Sequence, residues 1–145
     1  MNIKDLHDNI RTKMGIVPVA IGANGTLTGL VADRQGYGGV EFIAAYGAVT
    51  TTGSVVTLVV KEGDVTGTMT SVANADLLGT EALASLPAAT PRTAGTTKEV
   101  TKRIGYIGNK RYVSCDAVKT GVTSVGVVGV SVLLHSPYNA PTANP

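Results

Sequence analysis

Between Arg103 and Pro137 the chain carries three apolar runs, each closed by a turn signal. Ile104, Tyr106 and Ile107 run into Gly108-Asn109, Tyr112 to Val118 stops at Lys119-Thr120-Gly121, and Val125 to Leu134 stops at Ser136-Pro137. The runs are short and rich in Val, Ile, Tyr and Thr, which suit a pleated, half-buried surface. No 3.6-residue period competes with this reading. It predicts three strands joined by tight turns into an antiparallel meander, whose apolar face the rest of the chain must cover.

The same punctuation extends upstream. Ile16 to Ala23 reads as extended, with Pro18 confining it to an edge or a strand start. Asn24-Gly25 reads as a two-residue hairpin turn into Thr26 to Val31. It also forms a glycosylation sequon with Thr26, but without a secretory signal the turn reading stands. Asp33 to Gly39 is a loop and Val40 to Val49 a strand. Glu41 beside Phe42 marks one wet and one dry face. Gly36 and Gly38 open a dinucleotide-like fingerprint, yet Glu41 stands where the third glycine is needed and no helix follows. Ser54 to Val60, ended by Lys61-Glu62-Gly63-Asp64, and Thr66 to Ala73 read as a hairpin.

Two stretches break the pattern. Residues 2–13 predict the one helix, with Asn2 as cap, Asp5 in the first turn, and Ile3, Leu6 and Ile10 on one face. Such a helix either closes one end of the sheet or docks on a partner. From Ala75 to Gly95, Leu77, Leu78, Leu83 and Leu86 could make a helical turn before Pro87, Pro91 and Gly95 break it. A segment of this kind is a covering loop or an interaction arm. About eight strands with turn signals every 8–12 residues predict an all-β sandwich or barrel. The expected organisation is a helix or arm over 1–15, a sandwich over 16–136 and an extended tail over 137–145.

Composition removes several function classes. Hydrophobic residues form 43% of the chain and aromatics only 4%, with no Trp, so the core must be Val, Leu, Ile and Ala. Charged residues form 15% with a net charge of +2, too few for a dedicated DNA binder, which needs many cations on one face. A lightly charged surface fits protein contacts instead. The single cysteine, Cys115, excludes an intrachain disulfide and a cysteine-rich metal site. Asp5 and Asp8 stand where a signal peptide needs positive charge, so synthesis in a cytosol is expected. No apolar run reaches the ~20 residues of a membrane span.

Gly105-Tyr106-Ile107-Gly108-Asn109-Lys110-Arg111-Tyr112-Val113, an apolar strand, and then Leu134-His135-Ser136-Pro137 resemble the end of a small head protein of tailed bacteriophages. Ala75-Asp76-Leu77-Leu78-Gly79-Thr80-Glu81 resembles the same family, the cementing or decoration proteins of the phage head. The resemblance implies a jelly-roll-like antiparallel β-sandwich on the outer surface of a virion, made in the host bacterial cytoplasm. It implies a partner, the major capsid protein, whose neighbouring subunits it clamps, and self-association, a dimer first and a trimer second. The residues expected to meet the shell or a twin are Ile3, Leu6 and Ile10 of the predicted helix, and Leu77 and Leu78 of the irregular arm. Lys110 and Arg111 would meet acidic groups on the shell, and Tyr138 in the Pro-rich tail would serve as an amphipathic anchor.

Catalysis is not expected. Neither His7 nor His135 belongs to a recognisable triad, no G-x-S-x-G elbow is present, and the histidines and the cysteine do not make a zinc site. Asp33, Asp64, Asp76 and Asp116 form no calcium-loop spacing. Lys98, Lys102, Arg103, Lys110 and Arg111 form one basic cluster, but interleaved Phe or Trp for base stacking is missing, so a solvated or protein-contacting face is expected rather than nucleic acid. No cofactor is implied. The alternative function is a glycan-binding jelly-roll module of a head spike or fibre. It would normally use exposed aromatics, and the chain has no Trp.

Overall fold

A computed structural model describes residues 5–48, 53–86, 100–121 and 126–139. Its strands are β1 (Ile10–Ile21), β2 (Gly25–Leu27), β3 (Ala32–Asp33), β4 (Tyr37–Tyr46), β5 (Val55–Val65), β6 (Thr68–Ser71), β7 (Leu77–Leu78), β8 (Val100–Tyr106), β9 (Tyr112–Thr120) and β10 (Gly126–Pro137). A one-turn helix, α1, spans Glu81–Ala84. Two antiparallel sheets form the sandwich. One has the order β1-β10-β4-β8-β7, and the other β2-β9-β5-β6 with β3 also on β9. Every second residue turns inward. Phe42, Ile104, Tyr106, Val130 and Val132 from the first sheet thus meet Leu58, Val60, Val113 and Ala117 from the second, and all are buried. This is the expected all-β, jelly-roll-like sandwich, but its core is not wholly aliphatic: Tyr106 and Phe42 are its largest fully buried side chains. Truncating a core Leu or Phe to Ala would cost about 2–5 kcal/mol.

The wiring differs from the expected meander. β8 and β10 flank β4 in the first sheet, whereas β9 lies in the second. From β8 to β9 and from β9 to β10 the chain therefore crosses between sheets instead of pairing. A period of two is the same whichever sheet a strand joins, so alternation alone could not assign it. Asn24-Gly25 likewise is no hairpin turn. It carries the chain from β1 in one sheet to β2 in the other, where Gly25 to Leu27 pair with Lys119 to Ala117.

The N-terminal helix is replaced. Among the described residues of 2–13 there is one 3-10 turn, His7–Asn9, and then β1 from Ile10. Ile10, Thr12 and Met14 pair with His135, Leu133 and Ser131. Ile10 and Met14 satisfy both a four-residue and a two-residue repeat, and the long partner strand decides for the latter. The sandwich therefore spans Ile10–Pro137 rather than 16–136. β1 is an edge strand, and its register shifts between Ile16 and Val19, around Pro18, as a proline without an N–H requires. Further on, β5 continues through Lys61-Glu62-Gly63-Asp64 to Val65, with an irregular register between Glu62 and Val65. The turn falls at Thr66-Gly67.

The irregular arm runs along the edge of β5 and beside β8, joining the two sheets at that side. A 3-10 turn at Asn74–Asp76 leads into β7, which pairs with Tyr106 and Gly105 of β8. Thr80 caps α1 by accepting the Leu83 N–H at 3.1 Å. Leu86, buried, exchanges backbone hydrogen bonds with Val56 at 3.0 and 2.8 Å. Residues 87–95 lie outside the described part.

Candidate functional site

The stretch that carries the family resemblance builds one end of the sandwich. Tyr106 is fully buried. Its hydroxyl donates to the Glu62 carboxylate on β5 and accepts the Lys110 N–H at 3.0 Å. Burial, reinforced by the Glu62 carboxylate, pushes this phenol well above its ordinary value. Arg34 completes the end. Its Nε donates to the Lys110 carbonyl at 2.6 Å, and its Nη1 donates at 3.4 and 3.3 Å to the carbonyls of Tyr37 and Gly38. The guanidinium lies 5.4 Å over the Tyr106 ring, within cation–π range. Lys110 and Arg111 are thus held by backbone as well as by their side chains.

Those side chains are spoken for. Lys110 Nζ lies 2.5 Å from Asp64, whose hydrogen bond raises the ammonium pKa. Arg111 donates through Nε and Nη2 to both Asp33 oxygens, at 3.1 and 2.7 Å. That bidentate bond raises the guanidinium and holds the Asp33 carboxyl below its usual range. Elsewhere in the basic cluster, Lys102 donates to the Ser85 carbonyl at 2.7 Å and Arg103 lies 3.8 Å from Glu41. Lys98 is outside the described residues. Among the described residues the cluster is therefore divided between strand β8 and the sandwich end, each described cation with its own acceptor.

The other nominated residues separate by exposure. Leu77 is buried in the core and so is not available to a partner, because alternation puts it inward and Leu78 outward. Leu6, Leu78 and Tyr138 are exposed, Ile10 is half-buried, and Ile3 lies outside the described residues. Tyr138 is not on a separate tail. Pro137 still pairs with Tyr37, and the Tyr138 N–H donates to the Gly36 carbonyl at 2.9 Å.

Two surface features were not legible beforehand. The first is an apolar margin where the edge strand meets the link between β2 and β3. Leu30 N–H donates to the Gly15 carbonyl of β1 at 2.6 Å, which sets exposed Leu30 and Val31 beside exposed Met14 and Val17. Met14, Val17, Leu30 and Val31 are thus large apolar side chains exposed around this one contact. The link is held by Asp116, a buried carboxylate that accepts the Gly29 N–H at 2.8 Å and the Lys61 ammonium at 2.7 Å. The second is a shallow pocket at the sandwich end, lined by Arg34, Gln35, Tyr37, Asn109, Arg111 and Tyr138. Sequence spacing gave no sign of it, because its residues come from three separate segments.

Reactive groups do not converge. His135 Nδ1 lies 3.0 Å from the Oγ of its neighbour Ser136, and no carboxylate bonds to either histidine among the described residues. Burial pushes the Cys115 thiol up to about 12, which keeps it un-ionised at neutral pH. Among the described residues no group of three metal-ligating side chains forms, and no helix is long and apolar enough to cross a membrane.

No protein-family model matches the sequence, and no curated protein matches it. Solved structures do share the fold. The chain is similar to the PBSX exported protein XepA, with 14% identity and a TM-score of 0.53 over 91% of this chain and 39% of that one. It is also similar to a chain of infectious bursal disease virus, Gx strain, with 10% identity and a TM-score of 0.50 over 91% of this chain and 34% of that one. The chain thus spans well under half of these longer chains. At such identities the likeness is one of fold, a β-sandwich that also occurs in a virus particle.

Proposed function

We propose that the chain is a structural virion protein that cements a phage head from outside by clamping neighbouring major capsid subunits. The observation that carries this reading is the apolar margin of Met14, Val17, Leu30 and Val31, four of the large apolar side chains that the surface exposes. Its support is threefold: the resemblance of the 74–81 and 103–141 stretches to phage cements, a fold shared with a virus protein, and a low surface charge suited to protein contacts. The partner is the major capsid protein, and self-association as a dimer, or next a trimer, protects the strand margin. The mechanism is physical rather than catalytic. Each copy contributes a modest interface, and many copies on a symmetric shell act together. Neither nucleic acid nor membrane is required. Lys110 and Arg111 would contribute only by exchanging Asp64 and Asp33 for shell carboxylates, so apolar contacts dominate.

The test is co-sedimentation with expanded heads lacking this protein. Val17→Asp with Leu30→Asp should weaken binding by about tenfold or more, roughly 1.4 kcal/mol per copy, with the fold intact by circular dichroism. Undiminished binding would remove the margin from the interface. A second reading, a glycan-binding module of a spike or fibre, is supported by the pocket between Tyr37 and Tyr138.

A further inference from the structure

We infer that the pocket at the sandwich end takes an acidic saccharide, a sugar that carries a carboxylate. This rests on the glycan-binding reading and not on the cementing one. Three kinds of group line the pocket, and each matches one part of such a ligand.

Tyr138 is 73% exposed and forms the rim. Its N–H bond to the Gly36 carbonyl fixes the backbone that carries the ring. An exposed aromatic face held on a strand end offers the C–H face of a sugar ring a flat apolar surface at small entropic cost. Gln35 and Asn109 carry carboxamides that make no hydrogen bond among the described residues. Each offers a carbonyl acceptor and an NH2 donor, the pair that adjacent hydroxyls of a sugar can satisfy together.

The guanidiniums select the charge. Arg34 is held by the carbonyls of Lys110, Tyr37 and Gly38, through Nε and Nη1 only. Carbonyl dipoles orient this cation but leave its net charge unneutralised, and Nη2 is unused among the described residues. Arg111 spends Nε and Nη2 on Asp33, which leaves Nη1. Two fixed guanidiniums against one carboxylate leave the pocket a positive balance, and a carboxylate is the group that matches their planar donors. A neutral sugar would use the ring and the amides but leave Arg34 uncompensated. An acidic peptide would use the guanidiniums but has no hydroxyl-bearing ring for Tyr138 and the two carboxamides.

The experiment is titration calorimetry of the full chain with 3′-sialyllactose and digalacturonate, with lactose and galactobiose as neutral counterparts and a short poly-glutamate peptide as the acidic non-sugar. At least one acidic sugar should bind about tenfold or more tighter than its neutral counterpart, as a charge-assisted contact implies. Tyr138→Ala and Asn109→Ala should each weaken it by roughly tenfold without moving the melting point by more than about a degree, since both residues are at the surface. Equal binding of acidic and neutral sugars would overturn the charge assignment while leaving the glycan reading in place. Binding of no sugar, or binding of the peptide alone, would overturn both and leave the cementing reading untouched. Full binding by the Tyr138→Ala protein would place the ligand elsewhere and overturn the site.

Discussion

The Tyr106 hydroxyl donates to the Glu62 carboxylate and accepts the Lys110 N–H, 3.0 Å away. One buried phenol thereby joins β8 to β5 across the two sheets and fixes the turn after β8. Tyr106→Phe removes both bonds and keeps the ring. The Lys110 N–H then loses its acceptor in a part-buried setting, a penalty of ~1–3 kcal/mol. The melting midpoint should fall by roughly 3–10 °C for a chain of this size. A midpoint unchanged within a degree would show that water replaces the hydroxyl without cost.

The Asp116 carboxylate predicts a graded pair of effects. It is buried and holds both Gly29 and Lys61. Asp116→Ala leaves the Gly29 N–H and the Lys61 ammonium without their acceptor, and Lys61 is part-exposed and can turn to solvent. The expected loss lies near or below the low end of the ~3–5 kcal/mol for a broken buried pair. Asp116→Asn keeps an acceptor for Gly29 and forfeits only the charge, so it should cost about half as much. Chemical denaturation of both variants checks the order. Equal losses would mean that the charge alone matters and that the hydrogen bond to Gly29 adds nothing.

How far these relations were legible follows from their range in the chain. The runs read at Val40 to Val49, Tyr112 to Val118 and Val125 to Leu134 overlap β4, β9 and β10, because alternation is local. Their sheet was not legible, because inward and outward positions look the same from either side of the core. Leu77 and Leu78 differ by one residue, and only the pairing with Tyr106 and Gly105 tells which faces the solvent. Lys110 and Arg111 looked like free cations because their partners, Asp64 and Asp33, lie 46 and 78 residues away. The apolar margin escaped for the same reason. Val17 and Leu30 look like core residues until the link between β2 and β3 is placed beside β1.

The Asp33–Arg111 contact predicts a pH dependence with a definite sign. Arg111 holds the folded Asp33 carboxyl below its unfolded value, about 3.9. The folded state then binds fewer protons, so this contribution to stability is fully present above that value and is lost as pH falls through the folded one. The stability difference between the wild type and Asp33→Asn should be constant from pH 7 to about pH 5 and shrink below about pH 4. Denaturant titrations at stepped pH measure it. A difference that persisted unchanged to pH 2 would show that the ionised form of Asp33 is not what matters.

Gly29 predicts the sharpest contrast between two like substitutions. A Cβ at this position would lie 2.2 Å from the Cys115 carbonyl oxygen and 3.0 Å from the Cys115 nitrogen. That backbone belongs to β9, which is paired with β5 throughout and cannot yield without breaking the second sheet. The link between β2 and β3 must therefore lift away, and the Gly29 N–H leaves Asp116. Gly29→Ala should cost about 1–3 kcal/mol or more, the range for overpacking. Gly22→Ala is the control, because nothing lies within 4 Å of its Cβ, and it should stay within about 0.5 kcal/mol. The lift would also displace Leu30 and Val31 from Met14 and Val17, so head binding by the folded fraction of Gly29→Ala should fall while that of Gly22→Ala holds. Equal stability of the two variants would show that the link does not press on β9. Full head binding by a destabilised Gly29→Ala protein would separate the apolar margin from the shell contact.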